Sequence, residues 1–131
     1  MTVDGKRTWI DSHIHIPGWS DEGERRAGMR DVMRVMDGDP AHLVWVISYS
    51  FPGIRAIESD PAEGIPWANE GQLRFVQEAP EGRLFGSVAV HPGAIEESLD
   101  AIDLYAGEHG FVQVGEVLGY AMGFELDSAE M

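Results

Sequence analysis

The sequence predicts an α/β protein in which parallel strands alternate with helices. Four segments are rich in β-branched and other apolar residues and are interpreted as strands, at residues 8–16, 42–48, 83–90 and 111–117. Helical patterns and turn residues lie between them. Because short helical crossovers join parallel strands in a right-handed sense, we expect all four strands to run in one direction. The 131 residues fit one domain, 1–131.

The first two strands flank a capped helix. The strand at 8–16 alternates β-forming and polar side chains until a Pro–Gly pair ends it. Asp21 followed by Glu24 forms a capping box. The apolar face of this helix consists of Met29, Val32, Met33 and Met36. The strand at 42–48 is almost entirely apolar, which is typical of a parallel strand covered on both faces.

The middle of the chain is predicted to be a long loop followed by a short helix. Residues 49–66 contain three prolines and two glycines, too many helix-breaking residues for a regular element. Asn69 with Gln72 offers an N-cap, and the helix is expected to end before Pro80.

An amphipathic helix lies between the third and fourth strands. It is expected to expose its acidic side chains and to bury Ile95, Leu99, Ile102 and Ala106. A second capping-box pattern, at Asp127 and Glu130, predicts a helix that starts where the sequence stops. We therefore expect these residues to be the front part of a longer protein.

The charge of the chain disfavours several classes of partner. Nine basic and 23 acidic side chains give a net charge of −14, which repels phosphate backbones and anionic membranes. No apolar run approaches the ~20 residues of a membrane span, and the amino terminus lacks a secretory signal. We therefore expect a cytoplasmic protein without membrane contact. Since there is no cysteine, any metal ion must be bound by histidine and carboxylate ligands.

Histidines and a carboxylate gather near the end of the first strand. Asp11, His13 and His15 occupy alternate positions, so their side chains project from one face. Two imidazoles about 6.7 Å apart along a strand can tilt onto one cation. We expect His13 and His15 to bind a metal ion, and Asp11 to support the site or to bind the ion itself.

Two further residues end strands at the same edge. Glu116 closes the fourth strand, and the carboxyl ends of parallel strands form the functional edge of α/β sheets. Alone it would be a surface or capping carboxylate, but beside the histidine pair we interpret it as a metal ligand. His91 closes the third strand, and two roles stay open for it. It could bind substrate or orient a ligand, or it could hold the turn before the following helix.

Residues 9–16 resemble the opening strand of metal-dependent hydrolases of the amidohydrolase superfamily. Residues 84–93 and 111–120, in which His-Pro and Gly-Glu close the strands, are similar to TatD-type hydrolases. Asn69 and residues 79–85, followed by Val-His-Pro, also resemble the amidohydrolase-related branch that includes aminocarboxymuconate-semialdehyde decarboxylase. Both branches stay open at this point.

The resemblance implies the first half of a (β/α)8 TIM barrel that stops after strand four. It implies one or two divalent ions held by His13, His15 and Glu116, zinc first, with manganese or magnesium as alternatives. The other histidine ligands and the proton-transferring aspartate of the family would come from strands five to eight, outside this chain. A carboxylated-lysine subtype is disfavoured, because the only lysine precedes strand one.

The implied function is hydrolysis by a metal-activated water. The substrate stays open between an amide, an ester, a carboxylic acid and a phosphodiester. The net charge favours a small molecule, and nucleic acid fits only the TatD-like branch. One alternative is a non-catalytic half-barrel that binds metal or assembles as a homo-oligomer. Another is a phosphoesterase of the polymerase-and-histidinol-phosphatase type, which is disfavoured because strand two ends in Ser-Tyr-Ser rather than Asp-His.

Overall fold

Five strands form one sheet in the computed structural model, which describes residues 1–16, 21–125 and 127. In chain order they are β1 (Thr2–Val3), β2 (Lys6–His15), β3 (His42–Ser48), β4 (Leu84–Val88) and β5 (Gln113–Val114). Strands β2 to β5 are parallel and lie side by side in sequence order, whereas β1 pairs antiparallel with β2. The predicted α/β class with four parallel strands is confirmed.

Helices connect the parallel strands. They are α1 (Glu22–Gly38), α2 (Phe51–Ser59), α3 (Pro61–Glu78), α4 (Ile95–Ala101), which continues as a π-helix (Ile102–Glu108), and α5 (Gly119–Met122). Helix α1 begins as predicted, because the Asp21 carboxylate accepts a hydrogen bond from the Glu24 amide at 2.9 Å. None of the described helices is long and apolar enough to cross a bilayer.

The predicted loop at 49–66 is wrong, because α2 and the first turns of α3 occupy most of it. Pro52 and Pro61 lie in the first turns of these helices, where backbone N–H groups have no intrahelical acceptor and proline is tolerated. Only the third proline, Pro66, lies beyond the first turn of its helix. Two of the three prolines thus occupy positions that a helix tolerates, and α3 continues through the third.

The glycine at position 64 allows the two helices to touch. A Cβ atom at Gly64 would lie 2.4 Å from the Ile57 backbone nitrogen in α2. Any side chain here would push α2 and α3 apart. The glycine that suggested a loop is therefore a packing residue inside a helix.

Asn69 is not the helix cap that the sequence predicts, because α3 is capped by the carboxylate of Asp60. Asn69 is fully buried, and its amide bonds to the backbone N–H and C=O of Ala89 at 2.8 and 3.0 Å. Gln72 makes the same pair of bonds to Ser87, at 3.1 and 2.7 Å. These two side chains complete the backbone hydrogen bonding in and just after β4.

The predicted inner face of the fourth helix is partly wrong. Ile95 and Leu99 are 49% and 57% exposed, although both were expected in the core. The Ser98 hydroxyl instead turns inward, where it bonds to the backbone N–H and C=O of His91, each at 3.0 Å. The remaining predicted residues, Ile102 and Ala106, are partly buried and pack on the core. The two hydrogen bonds between Ser98 and the His91 backbone therefore determine which face of α4 points inward.

Strand boundaries differ most at the two ends of the chain. Strand β1 was not predicted, although Asp4–Gly5 is a typical two-residue hairpin turn, and both residues have positive φ, 51° and 76°. Strands β4 and β5 are shorter than the predicted 83–90 and 111–117. The Pro–Gly stop at 17–18 and the helix expected after Asp127 lie outside the described residues.

Two hydrophobic clusters form the core. One lies among α2, α3, β4 and the π-helix and includes Tyr49, Ile57, Ile65, Val88, Tyr105 and Phe111. The other lies between α1, α3 and the strands and contains Ile16, Val32, Met36, Ile47, Phe75 and Leu84. The two clusters hold the strand ends that carry the candidate site.

Candidate metal centre

Two side chains of β2 and one from the segment just after β5 meet at the carboxyl end of the sheet. The Oε2 atom of Glu116 lies 3.4 Å from Nε2 of His13 and 3.3 Å from Nε2 of His15. Three strand spacings, about 14 Å in a flat sheet, separate β2 from β5. The segment after β5 therefore turns back over the strand ends, and the Glu116 amide reaches to within 3.4 Å of the Ser48 hydroxyl at the end of β3.

A β-bulge brings the two histidines together. The register between β2 and β3 shifts by one residue between Asp11 and Ile14, and bulges of this kind re-aim side chains. The Asp11 carboxylate accepts a hydrogen bond from the His13 backbone amide at 3.1 Å, inside the bulge. The imidazole rings of His13 and His15 contact each other edge-on, with centroids 4.8 Å apart. Asp11 thus touches the site through the His13 backbone.

Tyr49 contacts two of the three residues, His15 and Glu116. Its carbonyl oxygen lies 2.7 Å from Nδ1 of His15. Because a carbonyl can only accept, Nδ1 is the donor in this contact, and Nε2 is the nitrogen that faces Glu116. The Tyr49 hydroxyl donates to the backbone carbonyl of Glu116. Burial raises the pKa of this hydroxyl, and the Glu116 carboxylate and Tyr120 raise it further, so it stays a protonated donor.

The donor atoms fit a cation. Oε2 of Glu116 is buried and makes no hydrogen bond among the described residues, although the two imidazole Nε2 atoms face it. A cation between these three atoms would satisfy the buried oxygen. Tetrahedral zinc, with bonds of about 2.0–2.1 Å, places its donors about 3.3–3.4 Å apart. The two Glu116–imidazole distances match this value. All three donor atoms lie within 4.8 Å of one another.

Among the described residues this is the group that could hold a metal ion. Two imidazoles and one carboxylate form a ligand set that catalytic zinc sites use, with a fourth position left for water or substrate. The side chains of His13 and His15 are 45% and 36% exposed, so a ligand can reach them from solvent.

His91 lies outside this cluster. Its Nδ1 accepts a hydrogen bond from the Gly93 amide at 2.9 Å, which leaves Nε2 to donate to the Met122 carbonyl at 3.1 Å. Its ring is 7% exposed, and both nitrogens are engaged. Of its two predicted roles, these contacts match the turn residue. It ties the turn after β4 to α5.

Sequence reasoning missed the residues that position the ligands. Besides Tyr49, the Ser87 hydroxyl donates to the carbonyl of Gly115, just before the glutamate ligand. Gly115 has a φ of 123°, a conformation that favours glycine. The polar Ser-Tyr-Ser triplet at the end of the otherwise apolar β3 was the available signal, because this edge of the sheet carries function.

Comparison with known proteins identifies no relative. No family model matches the chain, and neither the curated proteins nor the solved structures give a significant match.

Proposed function

We propose that the chain supplies the first half of a metal-dependent hydrolase barrel related to the amidohydrolase superfamily. The single observation that carries this proposal is the convergence of the His13 and His15 imidazoles on one buried carboxylate oxygen of Glu116. Parallel strands in sequence order, with helices between them, support it, because consecutive strands of a (β/α)8 barrel have this order. The ligands lie at the carboxyl end of the strands, where such barrels carry their active sites.

His13, His15 and Glu116 would hold one divalent ion, with zinc favoured by the donor set and spacing. When bound, such an ion lowers the pKa of water and polarises the scissile group of an amide, ester or related small substrate. The chain's own residues orient the ligands. Asp11 holds the His13 amide, and Tyr49 keeps the His15 proton on Nδ1 and anchors the backbone of Glu116.

A second candidate is a metal-binding module without turnover. Within the described part of the chain, the cluster contains no second carboxylate, and Asp11 is engaged with the backbone. A proton-transfer group of the kind that hydrolases use is thus not among the cluster residues. Bound zinc without hydrolysis of any ester, amide or phosphodiester would favour this candidate.

The first experiment measures zinc binding by calorimetry and by metal analysis after gel filtration. We expect the wild type to bind zinc and the double variant His13→Ala/His15→Ala to lose it. The matched control is His42→Ala/His109→Ala, which removes the same number of imidazoles from outside the cluster and should bind zinc like the wild type. Equal zinc uptake by both double variants would overturn the proposal.

Activity is tested in the longer protein of which this chain is proposed to be the first half, with p-nitrophenyl acetate, an N-acetyl amino acid and bis(p-nitrophenyl) phosphate. Glu116→Gln keeps the side-chain shape but removes the charge, so we expect a weaker zinc complex and loss of turnover. Circular dichroism checks that the fold is retained. Unchanged turnover in Glu116→Gln would remove this residue from the proposed site.

A further inference from the structure

A cleft of about 480 Å³ opens directly beside the three ligands. His15 and Glu116 line one end of it, so a molecule in the cleft would reach the proposed metal position. The volume lies within the range of small-molecule sites, roughly 300–1,000 Å³.

One face of α2 forms a wall of this cleft. Phe51, Ile54, Arg55 and Glu58 all line it, and their spacing of three, four and seven positions places them on one side of the helix. Phe51 is 77% exposed, and its ring stacks on His15 with centroids 6.4 Å apart. The wall therefore combines an apolar surface with one cation, Arg55, and one anion, Glu58.

The opposite wall is formed by the segment around α5. Leu118, Tyr120 and Ala121 line it, and the Tyr120 side chain is 90% exposed. Large aromatic side chains exposed on both walls of one cleft offer a surface for a flat or apolar ligand.

Arg55 has no carboxylate partner among the described residues, a property that it shares with Arg7 and Arg30, but of these three only Arg55 lines the cleft. Five ion pairs join arginines to carboxylates elsewhere: Arg25–Glu78, Arg26–Glu22, Arg34–Asp31, Arg74–Glu70 and Arg83–Asp37. Within the described part of the chain Arg55 forms no such pair, although Glu58 lines the same cleft. An arginine that keeps its five donors free beside an apolar surface suits an anion from solution.

We propose that this cleft binds a small carboxylic acid with an apolar body, and that Arg55 holds its carboxylate. The apolar body lies between Phe51 and Tyr120, and its far end faces His15 and Glu116. The placement of the ligand's far end beside a metal ion rests on the proposed function. The contact between the ligand's carboxylate and Arg55 does not. A carboxylate fits better than a phosphate monoester, because Glu58 and Glu116 in the same cleft repel a dianion more strongly than a monoanion.

The test measures binding of 3-phenylpropionate to EDTA-treated protein by calorimetry and ligand-detected NMR. Without metal, the probe can bind only through the protein's own groups. We expect Arg55→Gln to weaken binding at least about tenfold, because a charge-assisted pair is lost, and Arg55→Lys to fall between this variant and the wild type. The matched control is Arg30→Gln, which removes another exposed arginine without an ion pair, outside the cleft, and should bind like the wild type.

Two further probes define the ligand class. The neutral amide 3-phenylpropionamide should bind at least about tenfold more weakly than the acid, because it cannot form the charge-assisted pair. Phenyl phosphate should bind more weakly than 3-phenylpropionate, and tighter binding of phenyl phosphate would overturn the choice of a carboxylate. Equal binding of the acid by wild type and Arg55→Gln would overturn the proposal itself.

Zinc titrations on the same variants separate this proposal from the metal function. Zinc binding that is retained in Arg55→Gln, together with loss of the probe, supports both proposals. Probe binding that depends on Arg55 in a protein that takes up no zinc would refute the metal site and leave the carboxylate site standing. Zinc uptake with probe binding that does not depend on Arg55 would refute only the carboxylate site.

Discussion

Replacing Tyr49 by phenylalanine tests whether the positioning contacts matter for metal binding. The change removes only the hydroxyl that donates to the Glu116 backbone carbonyl. The aromatic ring stays in its fully buried position, and the Tyr49 carbonyl still binds Nδ1 of His15. The variant therefore removes the hydrogen bond that holds the Glu116 backbone and keeps the one that orients His15.

The magnitude follows from the bond that is lost. One neutral hydrogen bond contributes about 1 kcal/mol, and leaving the part-buried Glu116 carbonyl without a donor raises the cost to about 1–2 kcal/mol. For a domain of this size we expect a fall in melting temperature of about 4 °C per kcal/mol. Loss of a hydrogen bond that orients a metal ligand weakens metal binding by about 10–100-fold. We expect the zinc Kd to rise about tenfold, at the lower end of this range, because the Tyr49 hydroxyl holds the backbone of Glu116 and not its carboxylate.

The assay is a zinc competition titration against a chromophoric chelator, with thermal unfolding followed by circular dichroism. Tyr105→Phe is the matched control, since Tyr105 is also buried but packs on Phe111 with centroids 5.4 Å apart, outside the metal cluster. Its zinc Kd should equal that of the wild type. If Tyr49→Phe lowers the melting temperature but binds zinc as tightly as Tyr105→Phe, the hydroxyl serves stability alone and the positioning argument fails.

Two further predictions concern the helices that support the site, and urea unfolding measures both. Gly64→Ala should lower the free energy of unfolding by about 1–3 kcal/mol, because a Cβ atom would collide with the α2 backbone. Gly107→Ala has open space and should be neutral or stabilising by up to about 1 kcal/mol. Gln72→Leu should cost about 2–4 kcal/mol, because two backbone groups of β4 lose their partners, whereas exposed Gln77→Leu should stay within about 0.5 kcal/mol. Equal shifts within either pair would contradict the packing described above.

Local signals in the sequence predicted much of the fold. The apolar run at 42–48 matches β3 residue for residue, although only its last three residues are buried. Asp21 and Glu24 predicted the start of α1, since a capping box acts within one turn. The Asp4–Gly5 turn was equally local and was overlooked.

The errors arose where distant contacts decide the structure. Asn69 has the chemistry of a helix cap, but its partner is the backbone of Ala89, which only the folded chain brings near. Gly64 suggested a loop, whereas its role depends on the approach of another helix. Propensity describes a residue among its sequence neighbours, so it does not anticipate such contacts.

At the candidate site, too, local features were predicted from the sequence and long-range contacts were not. Alternation along a strand was enough to select His13 and His15, and the position at a strand end selected Glu116. The bulge that turns the imidazoles towards each other and the contacts of Tyr49 depend on β3 and on the segment after β5. The ligands could be predicted from the sequence, but the structure that orients them could not.

The ligands of the proposed site come from the first of the four parallel strands and from the segment just after the last one, about 100 positions apart in the chain. An ion bound there would act as a reversible cross-link across almost the whole fold and would restrict the unfolded chain much as a long-range disulfide does. Folding and metal binding would then form one linked equilibrium. Free zinc at about 100 times its Kd would add about 2.7 kcal/mol to the free energy of unfolding. The stability of this protein would then report the zinc concentration around it.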